Sequence, residues 1–179
     1  YSEVSNTISG GATFCHGQDV QITGDRPAGG DGTYAFLWES STDGSTWAIL
    51  PGESGSSLSF VADQTLYIRR LINSGPCQAI SNTVLITVQE AISNNTISQD
   101  QEICIGKPID LLRGSTPTGG DGNFSFQWQQ SADENSWTNI VDANSNDYQP
   151  GDLTENTFYR RLATTALCTG DQQSISNVV

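Results

Sequence analysis

The chain has 179 residues with a formal net charge of −13 at pH 7, and 15% of its residues are charged. This acidity argues against nucleic acid and anionic membrane surfaces as partners, because binding to either needs clustered Lys and Arg. The sequence contains no apolar run of about 18 residues, so no membrane-spanning helix is predicted. Frequent Ser, Thr, Asn, Gln and Gly are typical of an extracellular β-rich protein.

The sequence consists of two repeats. Asn6–Ser9 opens the first repeat, and Asn95–Ser98 opens the second. A chain of this length can form one domain or two, and the repeat predicts two, at residues 1–90 and 91–179. We interpret Tyr1–Val4 as the end of a preceding segment, and therefore expect the chain to be a piece of a longer protein.

Short segments with period-2 alternation, separated by turn residues, predict about seven strands per repeat. Helical periodicity is absent, so each repeat is expected to form an all-β sandwich. The predicted strands are Thr13–Cys15, Asp19–Thr23, Thr33–Ser41, Trp47–Leu50, Ser56–Val61, Leu66–Leu71 and Ser81–Val88 in the first repeat, and Glu102–Cys104, Pro108–Leu112, Asn123–Ala132, Trp137–Val141, Ser145–Gln149, Thr157–Leu162 and Ser176–Val179 in the second.

The two repeats are most alike at residues 29–47 and 119–137, where nine of 19 positions are identical. Each stretch has a GGDG turn, in which glycine supplies positive φ, and then a strand with an aromatic residue at every second position. This alternation places the aromatic side chains on one face of the strand. Trp38 and Trp128 lie on that face and are predicted to be core residues.

Each repeat also carries an arginine pair on a later strand, Arg69-Arg70 and Arg160-Arg161. Neighbouring residues of a strand point to opposite faces, so one arginine of each pair is expected to approach the interior. A buried guanidinium needs a carboxylate partner or an aromatic face. We therefore predict a cation–π stack or an ion pair inside each domain.

Four cysteines occur, two at matching places in each repeat. This arrangement predicts one disulfide within each domain, Cys15–Cys77 and Cys104–Cys168. Each bond would close a loop of about 60 residues, which is worth roughly 4 kcal/mol of stability in the chain-entropy model. Disulfides indicate an oxidising, extracytoplasmic location.

Evidence for catalysis or metal binding is weak, so we expect no enzyme activity and no cofactor. His16 has no counterpart in the second repeat, and no pair of acids lies in a motif that would place it in a cleft. Asp31 and Asp121 of the GGDG motifs are expected to be turn residues. The alternative is a calcium site, built on these two aspartates with Asp25 or Asp133, or between the domains with Glu90, Asp100 and Glu102.

The combination of GGDG-x-aromatic-x-Phe-x-Trp, Ser-x-Asp-x-x-x-Trp, the arginine pair, a following Cys and Ser-Asn-x-Val spans both repeats. It resembles the immunoglobulin-like, or PKD-like, repeats of very large Bacteroidota surface proteins, which include gliding-motility adhesins. The resemblance implies two tandem immunoglobulin-like β-sandwiches, exported and displayed on the cell surface. It implies adhesion or spacing, and it carries no catalytic residues.

The leading hypothesis is therefore a structural and adhesive module whose partners are neighbouring repeats, a surface polysaccharide or another surface protein. The alternative is a carbohydrate-binding accessory module of a secreted polysaccharide-degrading enzyme. The alternative depends on Trp47 and Trp137, which follow the hairpin turns. These two tryptophans either pack across the strand pair or form exposed platforms on which a sugar stacks.

Overall fold

The computed structural model describes residues 2–179, so Tyr1, where the predicted preceding segment begins, lies outside the described residues. Strands and one three-residue 3₁₀ helix are the regular elements of this described part, which is all-β. The chain divides into two compact units, Tyr1–Val88 and Gln89–Val179. The division falls two residues before the boundary predicted from the sequence.

The first unit is a β-sandwich of two sheets. Its strands are β1 (Ile8–Ser9), β2 (Ala12–Cys15), β3 (Asp19–Gly24), β4 (Ala35–Ser41), β5 (Ala48–Ile49), β6 (Leu58–Val61), β7 (Leu66–Ser74), β8 (Cys77–Ile80) and β9 (Val84–Gln89). One sheet has the order β1-β3-β6, and the other has the order β2-β9-β7-β4-β5, with β8 also paired to β7. Strands β4-β5 and β7-β8 are consecutive neighbours, whereas β3-β6, β4-β7 and β2-β9 pair strands that are not consecutive in the chain, as in immunoglobulin-like sandwiches.

Period-2 alternation fills the core of this sandwich. In β3, Val20 and Ile22 are fully buried, while Asp19, Gln21 and Thr23 are exposed. In β7, Ile68, Arg70 and Ile72 are all fully buried. The interior-facing row of β7 therefore includes an arginine between two isoleucines.

The second unit has the same plan with fewer regular strands. These are β10 (Ser125–Ser131), β11 (Thr138–Asn139), β12 (Phe158–Thr164) and β13 (Ser174–Ile175), in the order β11-β10-β12-β13. The opposite layer is held by single bridges, Ile97 with Gly114 and Leu112 with Tyr148. Their counterparts in the first unit are the paired strands β1, β3 and β6.

The predicted strands Pro108–Leu112 and Ser145–Gln149 are thus reduced to one bridge. A side chain takes the place of part of the strand ladder. The amide of Gln101 accepts a hydrogen bond from Asp110 N (2.8 Å) and donates one to Asp110 O (3.0 Å). The backbone N–H and C=O of Asp110 are thus satisfied without a neighbouring strand.

In both units the aromatic strand lies antiparallel to the arginine strand, β4 against β7 and β10 against β12. The registers are equivalent. Trp38 lies opposite Arg70 and Glu39 opposite Arg69, while Trp128 lies opposite Arg161 and Gln129 opposite Arg160. The two most similar parts of the repeats are therefore direct neighbours in each sheet.

The predicted disulfide pairs, Cys15–Cys77 and Cys104–Cys168, are wrong. Cys15 and Cys168 are disulfide-bonded, whereas Cys77 and Cys104 are free thiols. Each predicted pair therefore combines one bonded cysteine with one free cysteine.

Strand length explains the error. Gly17, two residues after Cys15, donates to Ala62 O (2.9 Å), just before β7 begins. Cys77 pairs with Ser74 at the far end of β7. Nine residues of strand at about 3.3 Å each separate these ends by roughly 25 Å, whereas the Cα atoms of a disulfide lie roughly 4–7 Å apart.

Candidate functional site

The most unusual side chain of the first repeat is Arg70, which is fully buried. Oxygen atoms from separate segments surround its guanidinium. Nε donates to Asn6 Oδ1 (3.0 Å), and Nη1 donates to Ser56 O (2.6 Å). Nη2 donates to Asp25 O (3.0 Å) and Thr7 O (3.3 Å). The arginine thus ties three segments to the centre of β7.

Arg161 repeats this arrangement in the second repeat and is also fully buried. Its Nε and Nη2 donate to Asn95 Oδ1 at 3.0 and 2.8 Å. Nη2 also donates to Ser115 O (2.8 Å), and Nη1 donates to both oxygens of Asn146 at 2.8 and 2.9 Å. We call the two assemblies, centred on Arg70 and Arg161, the buried arginine clusters.

Aromatic rings face both guanidinium groups. The Arg70 Cζ atom lies 5.1 Å from the ring centroid of Phe36, and the Arg161 Cζ atom lies 4.4 Å from that of Phe126. The core tryptophans lie farther away, at 5.8 and 6.0 Å. These distances are within cation–π range, where desolvation strengthens the attraction. The predicted interior cation–π stack is confirmed in both repeats.

A glycine in each repeat makes room for the guanidinium. A Cβ atom at Gly24 would overlap Arg70 Nη1, and one at Gly114 would overlap Arg161 Nη1. Neither glycine has positive φ, so steric space explains both positions. Sequence reasoning assigned no role to these glycines, although they precede the GGDG motif in both repeats.

An asparagine and a serine hold the backbone of each buried arginine. Asn6 Nδ2 donates to Arg70 O (2.8 Å) and Ala79 O (3.0 Å), and Ser81 Oγ accepts from Arg70 N (2.8 Å). Asn95 and Ser176 make the equivalent bonds to Arg161. Sequence reasoning used both asparagines only as markers of where each repeat opens.

Burial lowers the pKa of the Arg70 and Arg161 guanidinium groups, while the carboxylates of Asp25 and Asp147 oppose this shift. Arginine titrates far above neutral pH, so both remain charged. Among residues 2–179, no carboxylate lies within salt-bridge distance of either guanidinium. Carbonyl oxygens, amide oxygens and aromatic faces therefore compensate the buried charge.

The other arginine of each pair covers the second tryptophan of its repeat. Arg69 Cζ lies 4.0 Å above the ring of Trp47, and Arg160 Cζ lies 4.2 Å above that of Trp137. Arg69 Nε also donates to Glu39 Oε2 (2.6 Å). Both tryptophans are half-buried, so each ring packs at the sheet surface with one face against a guanidinium.

The GGDG aspartates are turn residues. Asp31 Oδ1 accepts from Thr33 N (2.8 Å) and Ser74 Oγ (2.9 Å), which lowers the Asp31 pKa. Asp121 Oδ1 accepts from Asn123 N (2.8 Å). The described part of the chain has no group of three or more His, Cys, Asp or Glu side chains that could hold a metal ion, at these aspartates or elsewhere.

The aspartates of the following hairpin turns act in the same way. Asp43 Oδ1 accepts from Ser45 N and Thr46 N, both at 2.7 Å. Asp133 makes the equivalent bonds to Asn135 N and Ser136 N. These N–H donors stabilise the charged form and lower the pKa of both carboxyls. Of the remaining acids, Asp63 lies 3.9 Å from His16 in an exposed pair.

A cavity of about 650 Å³ lies in the second unit, lined in part by Ile103, Leu112, Tyr159 and Val179. Val179 exchanges backbone hydrogen bonds with Tyr159 (2.9 and 3.1 Å), as Val84 pairs with Ile68 in the first unit. In the first unit β9 continues past this pair and fills the core with the fully buried Ile86. The cavity therefore corresponds to sandwich interior that β9 occupies in the first repeat.

A family model described as a domain of unknown function (DUF8696) matches the chain twice, at residues 4–90 and 93–179. The two matches coincide with the two repeats. No curated protein matches the sequence. Within residues 2–179, the structure has no helix long and apolar enough to cross a membrane.

Substitution of Arg70 by Leu is expected to lower the free energy of unfolding of the first repeat by about 3–5 kcal/mol. The substitution removes a charge, but it also takes the guanidinium donors away from the carbonyls of Asp25 and Ser56, while Thr7 O keeps its bond from Asp25 N (3.0 Å). Chemical denaturation at pH 7 measures the change.

Arg69→Leu is the matched control, because it removes the same charge from the same strand. Arg69 is partly solvated but pairs with Glu39, whose side chain is only 12% exposed, so this variant is expected to lose a smaller amount, about 1–2 kcal/mol. Equal losses of unfolding free energy in the two variants would show that the buried position of Arg70 adds no stability beyond that of Arg69.

Acid is expected to destabilise the chain partly through Asp43 and Asp133. Their folded-state pKa values lie below the usual carboxyl value of about 3.9, so the unfolded state binds more protons. The stability they contribute is present above about pH 4 and is lost as pH falls through their folded-state pKa values. Thermal melts from about pH 6 to pH 2 should therefore fall less steeply for Asp43→Asn/Asp133→Asn than for the wild type. The exposed Asp152→Asn serves as control, and parallel curves for all three proteins would contradict the assignment.

Proposed function

The chain belongs to the family described as a domain of unknown function (DUF8696), and we propose that its repeats are non-catalytic structural and adhesive modules of a large secreted or cell-surface bacterial protein. In this role they act as spacers or as adhesion domains. The resemblance to the immunoglobulin-like repeats of Bacteroidota surface adhesins supports the proposal. Neighbouring repeats of the same chain are the expected partners, with a surface polysaccharide or surface protein as the target of adhesion.

The observation that carries the proposal is the duplication of the buried arginine cluster. Arg70 and Arg161 occupy equivalent registers and bind the equivalent Asn, the equivalent aromatic face and the equivalent carbonyls. The side chains that define the repeat motif are used to fold each module. Two copies of the same buried cluster are expected in a protein whose repeats serve as folded structural units.

Two further properties favour an exported location. Cys15 and Cys168 are disulfide-bonded, and disulfides persist mainly in oxidising compartments. The net charge of −13 keeps an extracellular protein soluble and discourages non-specific association.

The carbohydrate-binding alternative depends on free faces of Trp47 and Trp137. One face of each ring is covered by an arginine at 4.0 and 4.2 Å, and both rings are half-buried. This packing favours the structural role over a sugar platform. Cation–π contact with Arg69 and Arg160 accounts for both tryptophans without a ligand.

Forced unfolding of single molecules tests the structural role. The whole chain is stretched between two reference domains in reducing buffer. Each unit of about 90 residues should unfold in its own event, with a contour gain of roughly 300 Å. Arg70→Leu should lower the force of one event, and by more than Arg69→Leu does. Unfolding without measurable resistance would contradict the proposal.

Tryptophan fluorescence tests the carbohydrate-binding alternative. Titration with soluble bacterial polysaccharides should leave the emission of the wild type unchanged if Trp47 and Trp137 are packing residues. A saturable shift that disappears in Trp47→Phe/Trp137→Phe would instead establish the carbohydrate-binding alternative. Trp38 and Trp128 are fully buried and serve as the constant background.

A further inference from the structure

The four cysteines occupy two types of position. Cys15 and Cys104 each begin a tight turn, and we call them the turn cysteines. Cys77 and Cys168 each follow the arginine strand, and we call them the hairpin cysteines. One cysteine of each type is disulfide-bonded, and one of each type is a free thiol.

The turn around free Cys104 is the same as that around bonded Cys15. Cys15 O accepts from Gln18 N (3.1 Å), and Cys104 O accepts from Lys107 N (3.0 Å). The glycine inside each turn has positive φ, 85° at Gly17 and 78° at Gly106. Cys15 is fully buried, whereas Cys104 is exposed. Cys104 therefore has the same backbone geometry as the bonded Cys15, but its side chain is not buried.

The hairpin cysteines also match. Cys77 lies opposite Ser74 at the end of β7, and Cys168 O accepts from Thr165 N (3.2 Å) just after β12. Bonded Cys168 is fully buried, and free Cys77 is half-buried. At both types of position, the free thiol is the more exposed member.

Apolar side chains lie beside Cys104. Ile103 and Ile105 flank this cysteine and are 36% and 78% exposed. In the first repeat, Phe14 beside Cys15 packs against the core. Ile103 and Ile105 also line the cavity of about 650 Å³ in the second unit, so the Cys104 thiol is accessible at the rim of that cavity.

The turn cysteine and the hairpin cysteine of one repeat cannot bond to each other, because they lie at opposite ends of the arginine strand. We propose that Cys77 and Cys104 are linkage sites. Each forms a disulfide with a cysteine of the opposite type on a further copy of this repeat, so that Cys104 of one copy bonds to Cys77 of another. The inference uses only the equivalence of the repeats and holds whether or not they act in adhesion.

The bond forms by thiol–disulfide exchange with a small disulfide such as oxidised glutathione. The first protein thiolate attacks glutathione disulfide, forming a mixed disulfide and releasing one glutathione. The second protein thiolate attacks the protein sulfur of that mixed disulfide and releases the other glutathione. Two protein thiols are oxidised, one glutathione disulfide is reduced, and the two thiol protons end on the two released glutathiones.

The test mixes two full-length variants, one of them ¹⁵N-labelled, in a glutathione redox buffer at high protein concentration. Cys77→Ser retains only the Cys104 thiol, and Cys104→Ser retains only the Cys77 thiol. Mass spectrometry should find the mixed Cys77–Cys104 dimer in about tenfold excess over either symmetric dimer, whereas random pairing gives about a twofold excess. The double variant Cys77→Ser/Cys104→Ser should stay monomeric.

Four results would overturn the proposal: a statistical mixture of dimers, dominance of the Cys104–Cys104 dimer, absence of covalent dimers, or products linked through Cys15 or Cys168. Circular dichroism of each variant, unchanged from wild type, verifies that the serine substitutions leave the fold intact. Forced unfolding in reducing buffer is independent of this result, so failure of the linkage and failure of the structural role are distinguishable.

Discussion

A charged guanidinium buried at the centre of each sandwich is the constraint on which the rest of the structure depends. Desolvation of such a group is costly unless its donors are all satisfied. In Arg70 each of the three guanidinium nitrogens donates to at least one oxygen, from Asn6, Thr7, Asp25 and Ser56, and the ring of Phe36 faces the group. Segments that are far apart in sequence must therefore converge on one residue of β7. The arginine acts as an internal template for the connecting loops, where regular hydrogen bonding is sparse.

This constraint also explains why the second repeat keeps its plan with fewer strands. Its outer layer is joined by isolated bridges, yet Arg161 holds Asn95, Ser115 and Asn146 in the equivalent places. The loop positions are set by hydrogen bonds to the guanidinium as well as by the sheet. The motif residues shared by the repeats are consequently residues that stabilise the fold of the module.

Period-2 alternation was sufficient to predict the core tryptophans and the entry of one arginine of each pair into the interior. It could not identify the oxygens around Arg70, because loop carbonyls carry no side-chain signature. In the sequence, Gly24 and Asn6 could be recognised only as residues that recur at equivalent positions in the second repeat. The disulfide error has a different origin: matching positions suggested pairing within a repeat, although Cys15 precedes β3 and Cys77 follows β7. The nine-residue length of β7, taken with its antiparallel neighbours, places them at opposite ends.

The most direct test of the central claim is nuclear magnetic resonance of the chain with ¹⁵N-labelled arginine, assigned with Arg70→Lys and Arg161→Lys. The guanidinium N–H signals of Arg70 and Arg161 should be individually resolved and exchange slowly with water, because every donor group is held by an oxygen in the interior. Exposed Arg26 and Arg113 provide the reference for rapid exchange. Exchange of Arg70 and Arg161 as fast as that of Arg26 and Arg113 would contradict the account.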